Sequence, residues 1–441
     1  MVTRERLARI AALSLPIIGG MLSQNVLNLV DTAMVGVLGP TALAAVGVGS
    51  FANYMAIAAI IGLSSSVQAM ASRRKGEGRE DEMAIPLNGG LFLALVLGLP
   101  LSFVLIAFAP SLYPLINSDP AVIAEGVPYF EARLLGMVAV GMNFSFRGYF
   151  TGVSLAGLYL KTLLIMHLAN VVLNYGLIFG NFGLPQLGAE GAGLGTSLSL
   201  YLGTVIYTVF ALRHARARGF MSRIPSKDTM ATMLRLALPS AVQQFLFATG
   251  FTAFFWIVGQ VGTDELAASH VIITLILVAI LPGMGLGLAA LTLVGESLGK
   301  GQPDDAARWG WDVTKVGMVA LGLVGLPAIL VPDWVLAGFI HDSHVMDLAR
   351  LPLQLAGASM IFEALGLVLL NALLGAGAAR AVMSVSVGAQ WLIGLPLAWL
   401  LGPYLGLGLL WVWVANAGYR ILQSAVFAIL WKQGKWAKIK L

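Results

Sequence analysis

Long apolar stretches repeat along the whole chain, and Gly, Pro and charged residues separate them at regular intervals. Crossing a bilayer as a helix takes roughly 20 apolar residues. The pattern therefore predicts an all-α integral membrane protein with twelve membrane-spanning helices, here called segments 1 to 12. Their predicted spans are 8–37, 43–70, 83–109, 121–146, 154–180, 188–213, 231–259, 267–297, 308–332, 346–374, 380–401 and 405–431.

Composition and charge support the same class of protein. The chain is 58% hydrophobic and 11% charged, whereas a soluble domain averages about 25% charged residues. Almost all of the 26 basic residues fall in alternate loops, which places both termini in the cytoplasm. Only Arg133 and Arg350 fall on the other side, and Arg420 is assigned to the cytoplasmic side. The net charge of +5 thus reflects membrane topology, and no nucleic-acid partner is expected.

Two further features of the sequence exclude other classes. The basic start of the chain is followed by an apolar run too long for a cleaved signal peptide, so we expect it to be the first spanning helix. The chain has no cysteine, which excludes disulfides, iron–sulfur clusters and thiolate metal sites.

The chain contains an internal repeat. Residues 15–45 align without a gap to 238–268, at an offset of 223, and Pro16 falls on Pro239. Gly62 and the later stretch RRKGEG (73–78) similarly match Gly287 and the later stretch LGKGQP (298–303). An even number of spans gives both copies the same orientation, so the sequence predicts two parallel six-helix repeats, as in secondary transporters. The predicted division is an N-lobe at 1–213, a cytoplasmic linker at 214–230 and a C-lobe at 231–441.

Segment 1 carries polar residues where lipid is expected. Gln24, Asn28 and Asp31 are spaced to share one face of a helix. A carboxylate at the centre of a spanning helix costs about 2.5 to 3.5 kcal/mol, so it is a functional candidate. We therefore assign a functional role to Asp31. Gln24 and Asn28 either line a cavity or bind neighbouring helices through their amides.

Three further polar residues lie at the depth of Asp31. Asn170 and Asn174 lie one turn apart on segment 5, and Thr196 lies on segment 6. Measured from the predicted outer helix ends, Asp31, Asn174 and Thr196 lie about 9 to 12 Å into the membrane. A carboxylate, two amides and a hydroxyl at one level are suited to a hydrated proton or a small hard cation. His167, one turn before Asn170, is interpreted as a hydrogen-bonded core histidine.

The second copy does not repeat this set of residues. Phe254 occupies the place of Asp31, and Phe247 that of Gln24. Its own candidate is Glu363 on segment 10, which Gln243 and Gln244 of segment 7 are expected to join; a structural carboxyl is the alternative.

Segment 1 also contains a candidate hinge. Pro16 and Gly20 remove a backbone hydrogen bond and a side chain within two turns. A bend there would move the face that carries Asp31, although a static kink would have the same sequence.

Enzyme motifs are absent from the sequence. GESLGK at 295–300 is too short for a phosphate-binding loop, and there is no HExxH. We predict that the protein is not an enzyme, needs no cofactor and draws its energy from an ion gradient. An intramembrane enzyme and a channel remain as alternatives.

Several of these stretches together resemble the multidrug and toxic compound extrusion (MATE) transporters along essentially the whole chain. They are LPIIGGMLSQNVLNLVDTAMVG, RRKGEG, NVVLN, GAEGAGLGT and FEALGLVLLNALLGAG. The resemblance implies a V-shaped fold of two six-helix lobes, and it is greatest to the branch named for DNA-damage-inducible protein F (DinF). It also implies that Asp31, Asn170, Asn174 and Thr196 form the cation site of the N-lobe. Asn174 is often an aspartate in that family, so the resemblance favours a proton over sodium at Asp31.

The resemblance leads to a functional hypothesis. We expect a monomeric, proton-coupled antiporter of the cytoplasmic (inner) membrane that exports amphipathic, often cationic drugs, with sodium as the alternative coupling ion. A flippase for lipid-linked oligosaccharides is the nearest rival. Such flippases carry more basic residues in their cavity, whereas this sequence shows no clear intramembrane arginine.

Overall fold

The computed structural model describes residues 2–441, and secondary structure in this range is helical throughout. Its α-helices, in chain order, are α1 (Arg4–Gly36), α2 (Pro40–Gly76), α3 (Ile85–Leu112), α4 (Pro120–Leu135), α5 (Met137–Gly152), α6 (Ala156–Phe179), α7 (Ala189–His214), α8 (Lys227–Val261), α9 (Thr263–Ala279), α10 (Leu281–Gly299), α11 (Pro303–Leu330), α12 (Pro332–Ala337), α13 (Ser343–Gly375), α14 (Ala379–Gly388), α15 (Leu395–Trp399) and α16 (Leu409–Gln433).

Every predicted segment is helical, but three are not single regular helices. Segment 4 consists of α4 and α5, which meet at Gly136, and segment 8 consists of α9 and α10, which meet at Ile280. Pro282 directly follows the second break and lacks the backbone N–H that would continue the helix. Segment 11 consists of α14, α15 and two π-helical stretches, Ala389–Gly394 and Leu400–Tyr404. Pro396 follows the first stretch and Pro403 lies within the second, and each proline removes a helical hydrogen bond.

The surface of the described chain is strongly apolar. Leu29, Leu115 and Leu392 are 71%, 81% and 79% exposed, which a water-soluble protein would not tolerate over so many positions. By length and composition, ten helical stretches of the described residues are able to cross a bilayer. The protein is therefore a multi-pass membrane protein.

The chain forms two compact units, and the division passes through two helices. The N-unit is Gly19–Ala241, and the C-unit is the chain up to Ile18 together with Val242–Leu441. The first turns of α1 thus belong to the C-unit, and the first turns of α8 belong to the N-unit.

In the N-unit, the start of α8 packs closely on α2. A Cβ atom at Gly62 would lie 2.1 Å from the backbone oxygen of Ala237, so only glycine allows this approach. Ser66 Oγ donates a hydrogen bond of 3.0 Å to the carbonyl of Met233. These contacts fix the first turns of α8 within the N-unit.

The connection between α7 and α8 also packs within the N-unit. The backbone N–H of Ala84 donates to the carbonyl of Arg218 over 2.9 Å, and Arg223 forms an ion pair with Glu82. Hydrogen bonding from Arg79 lowers the pKa of Glu82, so this carboxylate stays charged near neutral pH. The connection is therefore a docked segment rather than a free tether.

In the C-unit, charged groups fix the first turns of α1 to α10 and α11. Arg6 forms ion pairs of 2.7 Å with both Asp305 and Asp312, and Arg9 pairs with Glu296 at 2.7 Å. The guanidinium of Arg6 also lies 3.6 Å from the ring centre of Trp309, close enough for a cation–π interaction.

Corresponding contacts in the two units follow the sequence repeat. His167 bonds to Gln24, and Gln390 bonds to the backbone of Phe247; the partners are 143 residues apart in both cases. The sequence matched Gly62 with Gly287, which in the structure faces Leu367 and Asn371 of α13. By contact the counterpart of Gly62 is Gly285, at the offset of 223, because a Cβ atom there would lie 2.4 Å from Ile18 of α1.

Candidate functional site

The Asp31 carboxylate is joined to the two asparagines of α6. Asn174 Nδ2 donates to Asp31 Oδ1 over 2.9 Å and to Asn170 Oδ1 over 3.0 Å. Asp31 is half-buried, whereas Asn170 and Asn174 are 1% and 0% exposed. Three of the four residues predicted for the cation site therefore form one hydrogen-bonded chain.

The hydroxyl that continues this chain is Ser199 of α7. Asn170 Nδ2 donates to Ser199 Oγ over 3.2 Å, and Ser199 Oγ donates to the carbonyl of Thr196 over 2.7 Å. The hydroxyl of Thr196 itself donates to the carbonyl of Ala192 on its own helix, over 2.8 Å. Sequence reasoning missed Ser199, although its place three residues after Thr196 puts it on the same side of α7.

No basic side chain among the described residues forms an ion pair with Asp31. Arg133 of α4 attracts it only at longer range. The second oxygen of Asp31 has no hydrogen-bond partner within the described chain, and it is not sealed from solvent. The carboxylate is therefore held at one oxygen and open at the other.

Glycines on α7 determine how closely the site is packed. A Cβ atom at Gly191 would lie 2.4 Å from the carbonyl oxygen of Leu177, and one at Gly195 would lie 2.1 Å from Asn174 Oδ1. Asn174 Oδ1 is buried against this backbone and has no hydrogen-bond partner in the described structure. The Asn174 amide thus directs its N–H groups at Asp31 and Asn170, and its oxygen away from them.

Gln24 and Asn28 belong to a second hydrogen-bonded set, on the same helix. Gln24 Nε2 donates to Asn28 Oδ1 over 3.1 Å, and His167 Nε2 donates to Gln24 Oε1 over 3.0 Å. The other ring nitrogen of His167 accepts from Ser23 Oγ. Both nitrogens of His167 are satisfied, and these residues connect α1 to α6.

The two residues of the candidate hinge differ in their surroundings. α1 is continuous through Pro16. A Cβ atom at Gly20 would lie 2.8 Å from both Leu163 and Tyr159. Gly20 therefore allows α1 to approach α6 closely, and any bending at Pro16 stays a prediction.

In the C-unit, Glu363 of α13 forms an ion pair with Arg420 of α16, at 3.0 Å. Arg420 is the twelfth residue of the 25-residue α16, so it lies about 16 Å from the start of the helix and about 20 Å from its end. Arg420 therefore lies in the middle of predicted segment 12 and not at the cytoplasmic end to which the sequence assigned it, so a predicted span does contain an arginine. The counting rule assigned it to the nearest basic tail, and its partner 57 residues earlier was not visible in the sequence.

One of the two glutamines of α8 bonds elsewhere than to Glu363: Gln243 Nε2 donates to Ser386 Oγ of α14 over 3.3 Å. Gln244 is half-buried, and its joining Glu363 stays a prediction. Phe247 lies near the charged pair instead, with its ring centre 5.8 Å from the Arg420 guanidinium carbon.

The described residues contain no group of three or more His, Asp or Glu side chains able to hold a metal ion. Around Asp31 the available donors are one carboxylate, amides and hydroxyls. Such a set can take up a proton at Asp31, or a hard cation if the amide oxygens turn toward it.

Comparison with known proteins identifies the family. A family model described as MatE matches two consecutive stretches, residues 16–176 and 239–400, which correspond to the two repeats. A probable multidrug resistance protein NorM from Burkholderia pseudomallei is 30% identical over 442 residues, covering 96% of this chain and 91% of the relative. A protein of the same description from Thermotoga maritima is 26% identical over 434 residues, covering 97% and 92%.

A solved structure shows the same fold. The outward-facing conformation of a multidrug resistance MATE family transporter of the MOP superfamily superimposes with a TM-score of 0.89 at 20% identity, covering 98% of this chain and 96% of that chain. With the family model matching both repeats, this chain belongs to the MatE family and is a membrane transporter rather than an enzyme.

Proposed function

We propose that the protein exports amphipathic drugs across the cytoplasmic membrane in exchange for protons, with Asp31 as the proton carrier. Its relatives from Burkholderia and Thermotoga are described as multidrug resistance proteins, which supports the drug-efflux part. Those relatives carry the name NorM, and placement in the DinF-like branch stays a prediction from segment 1.

The arrangement of Asp31 carries the proposal. Its carboxylate accepts one hydrogen bond from Asn174, has a second oxygen free of protein partners in the described chain, and lacks an ion pair. A carboxylate locked to a basic side chain would stay charged throughout a transport cycle. One held only by an amide can be protonated and released again.

The orientation of Asn174 supports a proton rather than sodium. Sodium needs oxygen ligands, as hard cations do, but Asn174 presents N–H groups to Asp31, and its oxygen is buried beside Gly195. A sodium ion would require this amide to rotate. A proton on Asp31 requires no such change.

Coupling then follows from a difference between conformational states. Antiport requires that proton and drug favour different states of the transporter, because a ligand with equal affinity for both states shifts neither. A proton on Asp31 removes the charge from one face of α1. The Asn174–Asn170–Ser199 chain connects that change to α6 and α7.

Dye efflux from proteoliposomes tests this function. We expect an imposed proton gradient to drive export in the parent protein, Asp31→Asn to abolish it, and a sodium gradient alone to have little effect. Asp304→Asn is the matched control, since Asp304 is an exposed aspartate in the first turn of α11. Export by the Asp31→Asn protein at the parent rate would refute the coupling role.

The flippase alternative can be tested with the same vesicles. The sequence was expected to lack an arginine within the predicted spans, which counted against a flippase. Arg420 is such an arginine, but Glu363 neutralises its charge. Movement of a fluorescent lipid-linked sugar across the vesicle membrane, without dye efflux, would favour the flippase.

A further inference from the structure

The basic tail of the C-unit, residues 432–441, plays no part in the Asp31 scheme. Its four lysines are Lys432, Lys435, Lys438 and Lys440. All four are exposed, and none forms an ion pair within the described residues. No Asp or Glu follows Glu363 in the sequence. The tail therefore presents four positive charges that no neighbouring acidic residue along the chain balances.

Two stacked tryptophans hold the tail on the C-unit. The ring centres of Trp431 and Trp436 lie 4.0 Å apart with 5° between the ring planes, and Trp436 Nε1 donates to the carbonyl of Trp431 over 2.8 Å. Both side chains are buried. A Cβ atom at Gly310 of α11 would lie 2.3 Å from the Trp431 ring, so the pair packs closely on α11. Gly434, with a φ of 71°, allows the chain to fold back after α16.

The backbone after α16 places the lysines on the outer side of the tail. Lys432 lies in the last turn of α16. Lys435–Lys438 is a 3₁₀-helix, in which residues three apart share one face. Lys435 and Lys438 therefore lie together, while Trp436 between them is buried against Trp431.

The last residues alternate between the protein and the outside. The backbone is extended at Ile439, and successive side chains of an extended chain point to opposite sides. Ile439 and Leu441 lie against the turn between α13 and α14, where a Cβ atom at Gly377 would lie 3.1 and 2.7 Å from them. Lys438 and Lys440 therefore face away from the C-unit.

The tail lies at the ends of two predicted membrane spans. Segment 12 ends directly before Lys432, and segment 11 begins at Arg380, which is also exposed. Gly377, which the tail contacts, lies three residues before Arg380. The sequence predicts this side to be cytoplasmic, so we expect these five basic groups at the headgroups of the cytoplasmic leaflet.

We propose that the ordered basic tail, together with Arg380, is a binding surface for the phosphate groups of anionic phospholipids. Basic residues next to a membrane span are attracted to such headgroups, and an ammonium group binds phosphate as a point charge without a fixed geometry. Because Trp431 and Trp436 already hold the lysines in place, little conformational entropy is lost when lipid binds. Orientation in the membrane requires only the number of these charges, whereas this surface requires their arrangement.

Native mass spectrometry of the purified full chain in detergent tests the surface. Phosphatidylglycerol and phosphatidylcholine with the same acyl chains are added separately, and the bound lipid is counted. We expect phosphatidylglycerol to bind about tenfold or more tightly. The preference should fall as ammonium acetate rises from about 0.05 to 0.5 M, because salt screens exposed charges.

Variants separate this surface from a general effect of positive charge. Replacing all four lysines of the tail by Gln should remove most of the preference for phosphatidylglycerol. The matched control removes four exposed basic residues outside the tail and should keep the preference; these are Arg4, Arg213, Arg216 and Lys227. Equal loss in the two variants, or no loss in the tail variant, would overturn the proposal.

Trp436→Ala tests whether the order of the tail matters. It keeps every lysine but removes the stacked ring that holds the tail, so we expect phosphatidylglycerol to bind about threefold or more weakly. Binding equal to the parent's would show that an unordered tail suffices and would refute the ordered surface. A monodisperse peak in size-exclusion chromatography confirms that each variant is folded.

A soluble headgroup separates lipid from free phosphate as the ligand. Glycerol 1-phosphate at the concentration of the lipid should not displace phosphatidylglycerol, since it lacks the acyl chains that keep the lipid beside the spans. Displacement would assign the surface to soluble phosphates instead. The Asp31→Asn protein should bind lipid as the parent does. A failed export test therefore leaves this inference standing, and a failed lipid test leaves the coupling proposal standing.

Discussion

At the scale of single residues, the candidate site is a relay of side-chain amides that ends on one hydroxyl. Asp31 is held by Asn174, Asn174 by Asn170, and Asn170 donates to Ser199. Because Asn174, Asn170 and Ser199 are buried and each bonds to the next, loss of the Ser199 hydroxyl should affect Asp31.

Ser199 and Thr196 therefore make a matched pair of mutations. Ser199→Ala leaves the buried Nδ2 of Asn170 without a partner, which costs roughly 1–3 kcal/mol. We expect proton-driven dye export to slow by up to about tenfold. Thr196→Val removes only a hydrogen bond within α7 and should have little effect. Initial export rates in proteoliposomes check this, and a larger loss with Thr196→Val would contradict the relay.

The sequence was sufficient for part of this site only. Helix spacing placed Asp31 and Asn174 at one depth, and these two side chains are in contact. Spacing gives depth but not the rotation of a helix about its axis, which is why Ser199 was missed. Arg420 was misplaced for a different reason: its ion-pair partner, Glu363, lies on another helix.

At the scale of helices, close approach depends on a few glycines. Gly62 of α2 faces the backbone of α8, and Gly285 of α10 faces the side chain of Ile18 on α1. A backbone oxygen cannot move aside as a side chain can. Replacement of glycine by a larger residue should therefore be tolerated less well at Gly62 than at Gly285.

Gly62→Ala should destabilise the protein. Its Cβ would lie 2.1 Å from the Ala237 oxygen, and overpacking typically costs about 1–3 kcal/mol. Gly47→Ala on the same helix is the control, because nothing lies within 4 Å of its added Cβ. Thermal unfolding followed by size-exclusion chromatography should show a lower Tm for Gly62→Ala alone. Equal Tm values for the two variants would disprove the contact.

Helix prediction succeeded because membrane insertion demands long apolar stretches, and all twelve segments are helical. The helix breaks at Gly136 and Ile280 were not predicted, since the apolar composition of segments 4 and 8 does not mark them. Pro282, Pro396 and Pro403 indicated the irregular stretches locally, because proline lacks a backbone N–H donor. A prediction made from hydropathy takes no account of that missing donor.

At the scale of the whole molecule, each compact unit contains the start of a helix that continues in the other. The C-unit holds α1 up to Ile18, and the N-unit holds α8 up to Ala241. Arg6 and Arg9 secure the first of these segments, and Gly62 and Ser66 secure the second.

Cutting the chain in the connection before α8 should therefore not release two stable halves. Fragments 1–225 and 226–441, expressed together, should co-purify in detergent through a tag on one of them. Each fragment alone should aggregate, because it lacks the helical segment that completes its unit. A pair that lacks both exchanged segments, 1–18 and 226–241, serves as the control and should not co-purify. A monodisperse 1–225 fragment by itself would rule this out.

The interchange of leading helix turns has an evolutionary consequence. Consider a six-helix ancestor that formed a domain-swapped homodimer, in which the amino-terminal turns of each subunit packed on the other subunit. Duplication and fusion of its gene would produce the connectivity seen here. Fusion would then free the two copies to diverge, and they now differ at the position where one has Asp31 and the other has Phe254.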